Sequence, residues 1–227
     1  MKVGGKVGVG VGVVSVCMLV SALLFSGVGS PDSVAVGFDG VSDEYRFGDW
    51  VNVSVVVYPN GNPVKAWELK VHFNEDVVSC VGVFEGDLFD GYSTFFSDGV
   101  IDNVNGNVLD LYDLTLGAGN LVSDSGVAVV LCFRTVGYGT CVLELYDVGV
   151  TNSSSYYGNV SVGSASFFVF SPFDMDDDHV VGFGDVVLCG NSYGLVGSPG
   201  WIRADVNRDG RVSILDLVLV SVHFGVY

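Results

Sequence analysis

Hydrophobic and polar residues alternate along several short segments between residues 50 and 170. Segment 50–58 is the clearest, because four valines at every second position share one face of an extended chain: Val51, Val53, Val55 and Val57. The same pattern recurs in three later segments and a short last one: 65–73, 127–133, 141–145 and 166–170. A period of two indicates β-strands with one buried and one solvated face.

Clusters of Gly, Asn, Asp and Ser separate these segments, as turns do in all-β folds. The sequence therefore predicts a mainly β fold, an antiparallel jelly-roll-like β-sandwich over residues 31–171. A Gly-rich turn at 136–139 is expected to join two of the strands as a hairpin. That hairpin would make Cys132 and Cys141 the best disulfide pair. The alternative is that these two cysteines, with Cys80 and Cys189, are small buried apolar residues.

The pattern changes after the short join at Ser171-Pro172. Carboxylates crowd together there and are followed by short apolar runs of helical character. We therefore expect a second, small α domain over residues 172–227, packed close to the sandwich because the join is brief.

The N-terminal segment 1–29 has the order of a secretory signal. Two lysines precede an uncharged apolar run, and small residues follow it. The run is also about long enough to span a bilayer, so retention as a membrane anchor is the alternative to cleavage. Both interpretations predict a secreted or cell-surface protein.

The chain is strongly acidic, with 9 Lys and Arg against 26 Asp and Glu and a formal net charge of −17. This balance argues against a nucleic-acid partner, whose phosphates require a basic surface. It is compatible with cation binding or with solubility in salty surroundings. No sequence pattern of a catalytic site stands out, and we expect no enzyme activity.

Two segments near the C-terminus align without a gap, the second beginning 31 residues after the first, at Asp205 against Asp174. Each has oxygen-bearing side chains at positions 1, 3, 5 and 12 of a twelve-residue loop. They are Asp174, Asp176, Asp178 and Asp185 in the first loop, and Asp205, Asn207, Asp209 and Asp216 in the second.

Calcium explains this spacing, because the ion takes six to eight oxygen ligands and a twelve-residue loop can wrap it. The backbone carbonyls at position 7, of Val180 and Arg211, would complete each set. The sequence thus predicts two Ca²⁺ ions. Position 6 is Gly210 in the second loop but His179 in the first, which predicts a somewhat strained site there. The valines at position 8, 181 and 212, are expected to point inward and pair the two loops.

The repeat resembles a type I dockerin, through Asp205-Val-Asn-Arg-Asp-Gly-Arg-Val, then Leu215-Asp216-Leu-Val-Leu, and His223-Phe-Gly225. The preceding sandwich resembles a cohesin, the partner that dockerins bind, through Gly48-Asp49, the segment 67–74, Val83-Phe-Glu-Gly-Asp87 and the segment 126–133. The resemblance implies a calcium-dependent adaptor whose partners are cohesin or dockerin domains of other secreted proteins.

The dockerin resemblance also implies that loop positions 10 and 11 contact the partner: Phe183, Gly184, Ile214 and Leu215. They are apolar here, whereas many family members carry Ser or Thr at these positions. This suggests a more apolar contact with the partner. Packing of Ile214 and Leu215 inside the small domain is the alternative.

Two other functions remain open at this point. The sandwich is also compatible with a carbohydrate-binding module that binds polysaccharide through exposed aromatics, with the dockerin as its docking tag. A self-assembling cell-envelope protein, joined head to tail, is the other alternative. The sequons at Asn152 and Asn159 are candidate glycosylation sites of an exported chain.

Overall fold

The computed structural model describes residues 33–225, and the predicted signal or anchor segment 1–29 lies outside this range. Within it the chain forms strands followed by two helices. The strands are β1 Val34–Asp39, β2 Glu44–Arg46, β3 Trp50–Tyr58, β4 Ala66–His72, β5 Val78–Glu85, β6 Val100–Asp102, β7 Asn107–Leu114, β8 Gly126–Thr135, β9 Gly139–Thr151, β10 Val160–Val162 and β11 Ala165–Phe170. The helices are α1 Phe183–Asn191 and α2 Ile214–Val222.

The strands form two sheets that face each other. One has five strands in the order β10-β1-β3-β8-β5, and the other has six in the order β2-β11-β9-β4-β7-β6. Most neighbours are antiparallel, but the edge strands β10 and β2 pair in parallel with β1 and β11. The predicted mainly β-sandwich is confirmed, with two parallel edge pairs that the prediction lacked. Three of the four sheet edges are strands of only three residues, namely β2, β6 and β10.

The sandwich core consists of the apolar faces that the alternation identified. All four valines of the first predicted strand, 51, 53, 55 and 57, are fully buried. Trp67, Leu69, Val71 and Phe73 oppose them from the other sheet, together with Cys141 and Leu143 of β9. Burying apolar side chains in this way is the main source of folding free energy.

The predicted hairpin at 136–139 is wrong. Strand β8 pairs with β3 and β5, whereas β9 pairs with β4 and β11 in the opposite sheet. The amides of Val136 and Gly137 donate to the Val77 carbonyl, at 2.9 and 3.0 Å, and this ties the connection to the start of β5. Gly137 also lies against the Asp76 carbonyl, which an added Cβ would approach to 1.9 Å. The connection therefore crosses between the sheets.

The preferred disulfide fails for the same reason, because Cys132 and Cys141 lie in different sheets. All four described cysteines are free thiols, at residues 80, 132, 141 and 189. Three of them are buried, which agrees with the alternative interpretation as apolar core residues, and Cys132 is half-buried.

The region after the sandwich has a separate small core. Its buried members are Met175, Val181, Cys189, Ala204, Val212 and Val220. Phe173 stacks on His223 with ring centroids 3.7 Å apart, so the entry to this region packs against the end of α2. Within residues 33–225, neither helix has the length and apolar run that a bilayer span requires.

Candidate functional site

Two acidic loops precede the two helices, and each helix holds the last carboxylate of its loop. Gly182 and Ser213 are the N-cap residues of α1 and α2, and their amides donate to Asp185 Oδ2 at 2.6 Å and Asp216 Oδ2 at 2.7 Å. These carboxylates occupy the third helical position, where the helix dipole favours negative charge. The other oxygen of each accepts from the amide at loop position 3, at 3.3 Å in both loops.

The first carboxylate of each loop is held by backbone amides that the loop folds around it. Asp174 accepts from the amides of Asp177 and His179, at 2.8 and 3.1 Å. Asp205 accepts from the amides of Asp209 and Gly210, at 3.1 and 3.0 Å. The bond to the position-6 amide is common to both loops.

The carboxylate at position 5 has the same partner in both loops. The amide of Val180 donates to Asp178 and that of Arg211 donates to Asp209, each at 2.8 Å. The turns that produce this geometry need a left-handed backbone at positions 4 and 6. Asp177 and His179 have φ of 60° and 69°, and their counterparts Arg208 and Gly210 have φ of 56° and 87°. The predicted strain at His179 is therefore present as a left-handed non-glycine residue.

The carboxylates at positions 1 and 12 of both loops are buried. Asp174, Asp185, Asp205 and Asp216 are at most 2% exposed. In the first loop, oxygens of Asp174, Asp176 and Asp185 lie within 4.8 Å of one another. Burial, followed by the charge of Asp185, raises the pKa of both Asp174 and Asp176. Crowded hard oxygen donors, those of Asp174 and Asp185 buried and that of Asp176 exposed, fit a divalent cation such as calcium, which would offset their repulsion.

The position-8 valines point inward, as expected, but no backbone hydrogen bond joins one to the other. Val181 and Val212 are buried in the small core. The Val181 carbonyl accepts from Gly225, just after α2, and the Val212 carbonyl accepts from Gly194, just after α1, at 2.9 and 2.8 Å. Each loop is thus tied to the end of the other loop's helix, and the two repeats form one reciprocal unit.

The four residues predicted to contact a partner lie on the surface at the starts of the helices. Phe183 is 76% exposed, Ile214 59% and Leu215 58%, and Gly184 is exposed beside them. Packing of Ile214 and Leu215 inside the small domain is therefore not what the structure shows. Further exposed apolar residues follow along each helix: Val187 in α1, and Val218 and Val222 in α2. Helical spacing of apolar residues could have identified them from sequence.

Sequence reasoning missed the side chains that surround the first loop. Asp177 is bound by two arginines, Arg46 from β2 and Arg203 from the segment before the second loop. The hydrogen-bonded Arg46 guanidinium, and then that of Arg203, hold the pKa of Asp177 below its ordinary value. No local sequence signal connects Arg46 to a loop that lies 131 residues later.

The candidate glycosylation sites lie in the loop between β9 and β10. Asn159 is exposed, whereas Asn152 is half-buried and its side-chain oxygen accepts from the amides of Ser154 and Ser155, at 2.8 and 3.0 Å. Two tyrosines lie in the same loop: Tyr156 is exposed, and the Tyr157 hydroxyl donates to the Pro63 carbonyl at 2.6 Å.

Solved structures share the fold of the sandwich. One is a cohesin module from a family 33 glycoside hydrolase of Clostridium perfringens, 15% identical, covering 61% of this chain and 97% of that chain with a TM-score of 0.50. Another is a chain of a type II cohesin–X-dockerin complex from Acetivibrio cellulolyticus, 12% identical, covering 61% and 99% with the same TM-score of 0.50. No protein-family model and no curated protein matches the chain. The sandwich therefore has a cohesin-like fold.

Proposed function

We propose that this protein is a secreted, non-catalytic adaptor that binds two calcium ions and joins other secreted proteins through cohesin–dockerin contacts. The observation that carries the proposal is the equivalence of the two loops. Both place buried carboxylates at positions 1 and 12, with the same backbone hydrogen bonds to positions 1, 5 and 12. Repetition of one oxygen-lined geometry on two different sequences points to one ligand.

The ligands in each loop would be the side chains at positions 1, 3, 5 and 12 and the carbonyl at position 7. Those carbonyls belong to Val180 and Arg211. Bound calcium would supply the positive charge that these carboxylates lack, and the loop fold would then hold the two helices together. No step of chemistry on a substrate is involved.

The dockerin-like role of the C-terminal region is supported by its exposed apolar helix face. Large exposed apolar side chains grouped on a helix are typical of a protein-binding surface. The cohesin-like fold of the sandwich supports a second, independent attachment point. With one binding unit of each type, the chain would link two partners.

Calcium titration and capture on the full-length chain test the proposal together. We expect calorimetry to show two calcium sites, and the substitutions Asp178→Ala and Asp209→Ala each to remove one. Immobilised protein should capture cohesin domains of other secreted proteins in calcium and release them in chelator. Ile214→Lys should abolish capture, because it places a charge in the apolar face, and should leave both calcium sites intact.

Val104→Lys is the matched control, since Val104 is 82% exposed on the sandwich and far from the helices in sequence. If the titration shows no bound calcium, the whole proposal is refuted. Two calcium sites without calcium-dependent capture would refute the adaptor role. Capture of insoluble polysaccharide, or calcium-dependent self-association, would favour the alternative functions instead.

A further inference from the structure

The first acidic loop rests against the edge of the sandwich. Arg46, the last residue of edge strand β2, binds Asp177 with both arms of its guanidinium: Nη1 to Oδ1 at 2.8 Å and Nη2 to Oδ2 at 2.6 Å. A bidentate arginine–carboxylate pair fixes the relative orientation of the two groups as well as their distance. Asp177 is at loop position 4, between the predicted ligands at positions 3 and 5.

Arg203 holds the same loop from the other side. Its guanidinium binds Asp177 Oδ1 at 2.9 Å and donates to the backbone carbonyls of Asp174 and Met175. Asp177 therefore lies between two guanidinium groups, one from the sandwich and one from its own domain. Both contacts fix the first turn of the loop.

His179, at position 6, is the second anchor. Its ring lies 4.6 Å from the ring of Phe168 and 4.8 Å from that of Phe170, both in strand β11. Strand register places Phe168 beside Glu44 and Phe170 beside Arg46, so these side chains come from two adjacent strands at one sheet edge. Arg46 also lies over the Phe170 ring at 5.7 Å.

The second loop lines a cavity with Arg46 and Phe170 of the same edge, but it lacks the two side chains that anchor the first loop. Repeat positions 4 and 6 are Arg208 and Gly210 there, in place of Asp177 and His179. An arginine cannot pair with Arg46, and a glycine has no side chain to place between aromatic rings. Only the first loop carries the two side chains that the sandwich edge binds.

We propose that the edge formed by β2 and β11 is a structural part of the first cation site, so that the sandwich sets the calcium affinity of the first loop and not that of the second. This inference rests on the proposed calcium binding. Positions 4 and 6 both have a left-handed backbone that non-glycine residues adopt at a cost. The contacts with Arg46, Phe168 and Phe170 hold those two residues in the geometry that arranges the ligands.

Phe168→Ala is the informative substitution, because it removes the contact to His179 without changing the charge near the cation. It is measured by calcium titration of the full-length chain in two backgrounds. Asp209→Ala leaves the first loop as the titrated site, and Asp178→Ala leaves the second. We expect Phe168→Ala to weaken calcium binding about threefold to tenfold in the first background, the effect of losing one aromatic contact. In the second background we expect less than a twofold change.

Two further variants control the result. Phe95→Ala removes an exposed aromatic elsewhere on the sandwich and should alter neither site. Arg46→Lys keeps the charge but loses the bidentate geometry, and should weaken the first site selectively, as Phe168→Ala does. A second readout is the melting temperature of the sandwich, which calcium should raise in the Asp209→Ala background and raise less when Phe168→Ala is added.

The outcomes separate the inference from the function on which it rests. Calcium binding in both backgrounds with no selective effect of Phe168→Ala and Arg46→Lys overturns the inference and leaves calcium binding established. Equal weakening of both loops also overturns it, because the effect would then be general destabilisation. Lack of calcium binding in the unsubstituted chain overturns both.

Discussion

Single buried polar groups show where the sandwich departs from an apolar core. Asp113 and Trp67 face each other across β7 and β4, and each is 2% exposed. Among the described residues, Asp113 Oδ1 and Trp67 Nε1 are buried without a hydrogen-bond partner. Burial, and then the charge of Glu85, raises the pKa of Asp113 to about 7. Asp113 is therefore protonated in the folded state over a pH range in which the unfolded chain has lost that proton.

Asp113→Asn should stabilise the protein at high pH and much less at low pH. The folded-state pKa lies above the unfolded value, so the wild type loses stability as pH rises between about 4 and 7. An amide has no such proton to lose. We expect the melting temperature of the variant to exceed that of the wild type at pH 8, and the difference to shrink towards pH 4. Thermal unfolding at saturating calcium measures this, and a difference independent of pH would contradict it.

The paired loops show how much of the candidate site could be predicted from residues alone. Local spacing specifies the ligand-type side chains, and those at positions 1, 5 and 12 have the same backbone hydrogen-bond partners in both loops. The contacts of Asp177 and His179 with the sandwich could not be predicted. They depend on which sheet edge lies beside the loop, and no local pattern encodes that.

At the scale of elements, alternation predicted the long strands because their buried faces repeat every second residue. Strands β2, β6 and β10 are too short for a pattern to show, and neighbouring strands hold them in place. The connection between β8 and β9 was misassigned because its glycines signal a turn but not the sheet that follows. The path of this connection is set by the hydrogen bonds that Val136 and Gly137 donate to the carbonyl of Val77, a residue far away in the sequence.

The strand assignment predicts a difference in thiol reactivity. Burial raises the pKa of Cys80 and of Cys141 to about 11, and burial also raises that of Cys189. A thiol reacts as the thiolate, so these groups should be protected in the folded protein. We expect iodoacetamide to modify half-buried Cys132 first, and the other three only after unfolding.

Peptide mapping by mass spectrometry distinguishes these four sites. Denatured protein, in which Cys80, Cys132, Cys141 and Cys189 should all react, is the control for intrinsic labelling. Rapid native labelling of Cys141 would show that β9 is not packed in the sandwich core as described. A disulfide between Cys132 and Cys141 would show that the two sheets are assembled differently.

At the scale of the whole molecule, residues 33–225 contain two hydrophobic cores of very different size. The sandwich core includes residues from both sheets, whereas the small core of the C-terminal region has six buried members. A core that small needs additional stabilisation, and the buried carboxylates around it oppose folding when no cation is bound. With the proposed calcium binding, we therefore expect the two regions to depend on calcium to different extents.

Chelation should unfold the region after residue 172 and leave the sandwich folded. Circular dichroism should lose its small helical component and keep its β component when calcium is removed. Limited proteolysis should then cut near α1 and α2, with the sandwich surviving as a resistant fragment. Magnesium added in place of calcium is the control, because its preference for octahedral geometry disfavours these loops. Resistance of the C-terminal region to protease in chelator would contradict this picture.

The sheet edges decide how such a protein can associate with its copies. In the sheets built by residues 33–225, three of the four edges are three-residue strands, and the fourth, β5, is interrupted by an irregularity between Cys80 and Gly82. A neighbouring chain needs a long, regular row of free amides and carbonyls to add a strand. Growth into fibres by main-chain bonding is therefore disfavoured. Even at high protein concentration, copies of the protein would contact one another through side chains on the sheet faces.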